Sequence, residues 1–158
     1  MKISRIDRHK AGFTLVETMV ALLVLSVGMI GVAALHGQGL GASRSAQFRS
    51  VAVNLSADMA DRIRANRLAG AAYAGGAANN NCDPAGGGGV DCTPAQMAQH
   101  DLFIWDQQVR NSLPNGNWRI AFNPGVNPPG YTITVLWDEV GSPVNPVQHQ
   151  VVLQLPTF

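Results

Sequence analysis

The chain has 158 residues, of which 46% are hydrophobic and only 13% charged, with 17 Gly, 9 Pro and a formal net charge of +1. That length accommodates one ordinary domain of about 100–200 residues, and the apolar content at low net charge excludes a chain disordered throughout. Average domains are about 25% charged, so the shortage of charge points to a lipid-facing segment, and near-neutrality argues against a highly charged nucleic-acid binder.

Residues 1–12, MKISRIDRHKAG, carry Lys2, Arg5, Arg8 and Lys10 against Asp7, a net +3. From Phe13 to Leu35 follow 23 residues whose only charge is Glu17, and the next charge is Arg44. As a helix at about 1.5 Å per residue this run is roughly 35 Å long, enough to cross a hydrocarbon core of about 30 Å. A secretory signal peptide begins in the same way. Here, however, the apolar run exceeds an h-region of about 7–15 residues, no small-x-small cleavage site closes it, and it continues into an amphipathic pattern. The expectation is a retained single-pass anchor with a cytoplasmic basic leader and an exported remainder.

A carboxylate inside a spanning helix costs on the order of 2–3 kcal/mol unless it finds a partner, which makes Glu17 a functional residue by default. The stretch Gly12-Phe13-Thr14-Leu15-Val16-Glu17, with its short basic leader and long apolar run, resembles the type IV prepilin motif of type IV pilins and type II secretion pseudopilins. The resemblance implies cleavage between Gly12 and Phe13 by the prepilin peptidase on the cytoplasmic face, then N-methylation of Phe13. It also gives Glu17 an assembly role, pairing with the Phe13 ammonium of a neighbouring subunit and fixing the register between them. The bland alternative is an anchor whose Glu17 only snorkels to the interface.

Beyond the span, Gly37, Gly39 and Gly41 join Gly28 and Gly31, and each costs a helix interior about 1 kcal/mol relative to Ala, so local loosening is expected. Major pilins carry a proline at the position of Ala34, a departure for which the glycines offer a substitute bend. The Gly37-x-x-x-Gly41 spacing is by itself a weak signal for close helix approach. Periodicity resumes with Phe48, Val51, Ala52, Leu55, Met59 and Ile63 on one stripe. Asp58 with Arg62 and Asp61 with Arg64 are spaced for surface ion pairs on the polar face. The run ending in DMADRIRANR makes the chain similar to minor pilins of the type IV pilus modification (PilV) family, over about residues 10–67.

Residues 69–93 are rich in Gly, Ala and Asn without periodicity and read as a long loop. Gly86 to Gly89 lack the Lys-Ser/Thr of a phosphate cradle. Cys82 and Cys92, the only cysteines, fall in the exported part and are expected to pair, a closure contributing up to roughly 3 kcal/mol; zinc, which takes about four ligands, is a distant second. Asp83 and Asp91 lack the spacing of a calcium loop.

Thr93 as N-cap and Pro94 at the first helical position open a short helix carrying Met97, Phe103, Ile104 and Val109 and stopping at Leu113-Pro114. Strands are predicted over Trp118–Phe122, Tyr131–Asp138 and Gln148–Leu155, with Tyr131, Ile133, Val135 and Trp137 on one face. Asn115-Gly116, Pro128-Pro129-Gly130 and Gly141-Ser142-Pro143 supply the turns. His9, His36, His100 and His149 lie in different elements without a nucleophile or metal-ligand spacing, and no enzyme motif, metal site or cofactor is expected.

The fold class expected is α+β and pilin-like: a long N-terminal helix, transmembrane in its first half and amphipathic in its second, packed on a small antiparallel sheet. Its divisions are leader 1–12, assembly helix 13–36, amphipathic continuation 37–68, loop 69–93 and exported head 94–158. The resemblance implies a minor type IV pilin of the bacterial inner membrane, N-terminus cytoplasmic and head periplasmic, later part of the fibre. Partners are the prepilin peptidase, other minor and major pilins, the inner-membrane assembly machinery and membrane lipid. The alternatives are a type II secretion minor pseudopilin and a pilus-displayed adhesin. Without the leader, 7 Lys and Arg stand against 9 Asp and Glu, a net −2, so no nucleic acid is expected.

Overall fold

A computed structural model describes residues 12–82 and 90–155. The leader charges and His9, Asp83 and the Gly86–Gly89 run lie outside the described residues. In chain order the elements are α1 (Leu15–Ala65), a 3₁₀ segment (Arg67–Ala74), α2 (Pro94–Ser112), β1 (Asn117–Asn123), β2 (Gly130–Trp137) and β3 (Val147–Gln154). The strands form one antiparallel sheet in the order β1-β2-β3, with Ile120 opposite Ile133 and Ile133 opposite Val151. A long apolar helix followed by a small antiparallel sheet is the α+β fold that the sequence predicts.

The chain divides into two units, one ending at Ser43 and the other, the head, beginning at Arg44. In the first unit α1 is helical through Gly28, Gly31, Gly37, Gly39 and Gly41, and the loosening expected there does not occur. Glycine weakens a helix without forbidding it, and the intervening Gln38, Leu40 and Ala42 are good helix formers.

In the head, α1 buries Ala52, Ser56, Met59, Ala60 and Ile63, with Phe48, Val51 and Leu55 half-buried at the margin. The predicted stripe is therefore the core face. Ser56 joins it because its hydroxyl donates to the Ala52 carbonyl at 2.8 Å, which removes the cost of burying a polar atom.

Thr93 caps α2 in a reciprocal arrangement: its hydroxyl accepts from the Gln96 amide (3.3 Å), while the Gln96 side chain accepts from the Thr93 amide (3.0 Å). The helix has 19 residues and is not short. Its core face is Ala98, Leu102, Trp105 and Val109, spaced three and four apart, whereas the predicted Met97, Phe103 and Ile104 sit half-buried beside it. Trp105 Nε1 donates to the Leu55 carbonyl at 2.9 Å, fixing α2 on α1.

β2 is the middle strand, and Tyr131, Ile133, Val135 and Trp137 are all buried as expected. A Cβ at Gly130 would stand 2.5 Å from the Leu153 carbonyl oxygen, so close pairing with β3 requires glycine there. Asn115 adopts φ +50° in the turn before β1.

The 3₁₀ segment lies where the sequence reads as loop from residue 69. Tyr73 within it is fully buried and meets Tyr131 edge to face, ring centroids 6.3 Å apart. The Tyr73 hydroxyl donates to Asp101 Oδ2 at 2.6 Å, and the other Asp101 oxygen accepts from Arg62 at 3.1 Å. Arg62 also bonds Asp58 at 3.0 Å, the pair predicted from spacing, and Arg64 bonds Asp61 at 2.6 Å. Arg62 is therefore a clasp between α1 and α2 and not a solvated surface charge. Burial works against its positive charge, yet the hydrogen bonds and charges of Asp58 and Asp101 raise its pKa above the ordinary guanidinium value.

Candidate assembly helix

α1 begins at Leu15, and Thr14 acts as its N-terminal cap, the Thr14 hydroxyl accepting from the Glu17 amide at 3.3 Å. Thr14 and Glu17 have the spacing of a capping box, a local signal in the sequence that the prepilin resemblance overshadows. The carboxylate of Glu17, in the first turn, also lies at the positive end of the helix dipole, where an anion is favoured.

No hydrogen bond or ion pair engages the Glu17 carboxylate among the described residues, and it is exposed. Phe13, at the predicted new N-terminus, is 83% exposed. The apolar side chains that follow are bare too, from Leu15 and Val16 through Leu25 and Ile30 to Leu35. This helix is long and apolar enough to cross a membrane, and none of its apolar window is buried inside the protein. Bare apolar surface on this scale needs lipid or other helices as its surroundings.

The hydroxyls within the span are satisfied locally. Thr18 donates to the Leu15 carbonyl and Ser26 to the Leu23 carbonyl, both at 2.8 Å, so neither brings an unpaired polar group into hydrocarbon. Glu17 is thus the polar side chain of this stretch that still calls for an external partner.

Cys82 and Cys92 are joined in a disulfide with Cα atoms 5.8 Å apart, as the cysteine count and compartment predict. Cys82 is buried, and the chain before it is held on α2 by the Ala78 amide donating to the Gln99 carbonyl and by Asn80 donating to the Gln96 carbonyl. The bridge therefore pins the loop to the start of α2, well away in sequence from Gly12, Phe13 and Glu17.

The histidines are not brought together: His36 is on α1, His149 on β3, and His100 is buried in α2 with neither ring nitrogen hydrogen-bonded. Among the described residues no group of three or more His, Cys, Asp or Glu side chains is placed to hold a metal.

Residues 34–103 match the family model described as Tt1218-like, type IV pilin Tt1218, and residues 7–33 match the model of the prokaryotic N-terminal methylation motif. No curated protein and no solved structure matches the chain. The second interval contains Gly12 to Glu17, and the first runs from the end of the span through the amphipathic half of α1 into α2. The chain is pilin-like, with a prepilin-type N-terminus that implies processing by the prepilin peptidase and assembly with other pilins. Motif and helix together fit a membrane-anchored pilin, a structural and not an enzymatic family.

Proposed function

We propose that this pilin-like chain is a minor type IV pilin that is cleaved between Gly12 and Phe13, methylated at Phe13, and built into the pilus or the complex that initiates it. The observation that carries the reading is an unpartnered carboxylate, Glu17, one turn into a helix whose apolar side chains are bare. In a bundle of such helices an exposed Phe13 ammonium of one subunit and the Glu17 carboxylate of the next neutralise each other. Pairing in low dielectric rewards only the register that brings them together.

Before assembly, Lys2, Arg5, Arg8 and Lys10 keep the leader cytoplasmic, so the head emerges on the periplasmic side of the inner membrane. The DMADRIRANR run favours the PilV-like minor pilins over a secretion pseudopilin, and the slightly acidic mature chain does not favour DNA capture. Partners are then the prepilin peptidase, minor and major pilins, the inner-membrane assembly machinery and lipid.

Glu17→Val tests the assembly role. It should leave insertion and leader cleavage intact while reducing incorporation into filaments at least several-fold, and normal incorporation would sink the role of Glu17. Mass spectrometry of the mature protein should begin at an N-methylated Phe13. A deletion strain should lose twitching while keeping type II secretion; the opposite pattern would favour the pseudopilin.

A further inference from the structure

The sheet has two outer strands, β1 and β3, and they are guarded differently. β1 carries Arg119 near its centre and packs against the 3₁₀ segment and α2. β3, VQHQVVLQ, has no Lys, Arg, Asp, Glu, Pro or Gly, and it pairs with β2 along its whole length without a bulge. Charges, prolines and bulges are the devices by which edge strands avoid taking up a further strand, and β3 has none of them. The Leu155 amide donates to the Pro129 carbonyl at 3.0 Å, one step beyond the Gly130–Gln154 pair. An antiparallel ladder alternates, so Val147, His149, Val151 and Leu153 turn amide and carbonyl toward β2. Gln148, Gln150, Val152 and Gln154 turn theirs outward, and no backbone hydrogen bond outside the ladder engages these four among the described residues.

The same edge borders a crevice of about 350 Å³ lined by Arg49 and Val53 of α1, Trp137 of β2, and Val147, Gln148 and His149 of β3. Val53 is 46% exposed, and Arg49 makes no ion pair or hydrogen bond among the described residues, so the sheet leaves this part of α1 uncovered. The Trp137 indole N–H is buried, with the residue 1% exposed, and has no acceptor. A guanidinium and an indole nitrogen only donate, and the lining holds no carboxylate to answer them. Asp138 and Glu139, next in sequence, are not part of the lining, and the Asp138 carboxylate accepts from Asn115 at 2.8 Å.

We propose that the free edge of β3 takes a further strand from a different pilin subunit, a strand whose α1-facing side chains are apolar except for one Asp or Glu. Its backbone pairs with the outward amides and carbonyls of β3, which supplies affinity, while the side chains facing the crevice supply specificity. The apolar ones cover Val53 and Val147, and the carboxylate accepts from Arg49 and the Trp137 indole. A second copy of the chain does not meet this requirement. None of β1, β2 and β3 contains Asp or Glu, so a strand from an identical chain leaves both donors unanswered. A lipid phosphate accepts from Arg49 but cannot pair an alternating row of amides and carbonyls. A donor of different sequence agrees with a minor subunit set among unlike neighbours. The inference rests on the pilin reading for the nature of the donor and adds a contact between heads to that of the assembly helix.

The test uses the full chain in its native cells, with a photo-crosslinking amino acid in place of Gln150. Captured material should be a different protein that carries its own prepilin motif, mapped by mass spectrometry to a strand containing Asp or Glu. Arg49→Glu should lower capture about tenfold, and reversing the acidic residue of the captured strand to Arg should restore it. Val152→Pro removes an outward amide that the ladder does not use, so it should also lower capture about tenfold while the head stays folded. Retention of the Cys82–Cys92 disulfide and an unchanged near-ultraviolet circular dichroism spectrum check that each variant folds. Capture of a second copy, of lipid or of a protein without the motif, capture undiminished by either variant, or no capture at all overturns the inference. Leader cleavage and incorporation are followed in parallel: if they persist without capture, the pilin reading stands alone, and if leader cleavage itself is absent, that reading falls and the inference with it.

Discussion

Removing one oxygen at Tyr73 tests the clasp that joins α1, the 3₁₀ segment and α2. Tyr73→Phe keeps the ring in its edge contact with Tyr131 but deletes the hydroxyl that donates to Asp101 at 2.6 Å. Hydrogen bonds to charged groups contribute about 1.5–3 kcal/mol, and Asp101 keeps its bond to Arg62, so no charge is stranded. The expected loss at pH 7 is about 2 kcal/mol. For a head of about 115 residues, an unfolding entropy of about 2.1 cal/mol/K per residue turns this into a Tm lower by about 8 °C. Burial first, and the Asp101 bond second, raise the Tyr73 pKa above its ordinary value of 10.0. In alkali the unfolded phenol therefore loses its proton before the folded one, and stability falls as pH rises beyond about 10. The variant lacks that loss, so its deficit should be full below pH 10 and shrink above it. Burial raises the Tyr131 pKa too, but Tyr131 affects both proteins alike. Near-ultraviolet circular dichroism of the full chain in detergent micelles, heated at pH 7, 9, 10 and 11, measures both effects. Equal stability at pH 7, or a deficit constant up to pH 11, would refute the reasoning.

Ile63→Ala, which truncates a side chain 1% exposed in the core of the head, should cost about 2–5 kcal/mol in the same melt, whereas Ile30→Ala in the bare span should leave head unfolding unchanged. Replacing both Cys82 and Cys92 by Ser, which opens a loop with a sequence separation of 10, should cost about 3 kcal/mol; reducing agent should then have no further effect on the melting curve. The hydrogen bond from Arg110 holds the Asp106 carboxyl below the usual carboxylate range, with burial opposing and the Trp118 indole assisting. Its contribution is present above about pH 4 and lost as pH falls, so Asp106→Asn should be less stable than the parent at pH 6 and equal to it near about pH 2 by acid titration of the fold.

Much of this was legible in the sequence because the determining interactions are local or periodic. The span from Phe13 to Leu35, the stripe through Met59 and Ile63, the Thr93-Pro94 start of α2 and the alternation of β2 each follow from a short window of side chains whose spacing matches one element. Glu17 stands out for the same reason, as a single charge in an apolar run. What the sequence could not specify was which residues of different elements meet. Tyr73 reads as part of a Gly/Ala-rich loop, and becomes core because α1, α2 and β2 enclose it. Arg62 and Asp101 are 39 positions apart in a chain with no periodicity linking them, yet they bond. Side-chain spacing within a helix or strand is set by backbone geometry that every sequence shares, whereas the pairing of distant side chains depends on how whole elements pack, and only the folded head decides that.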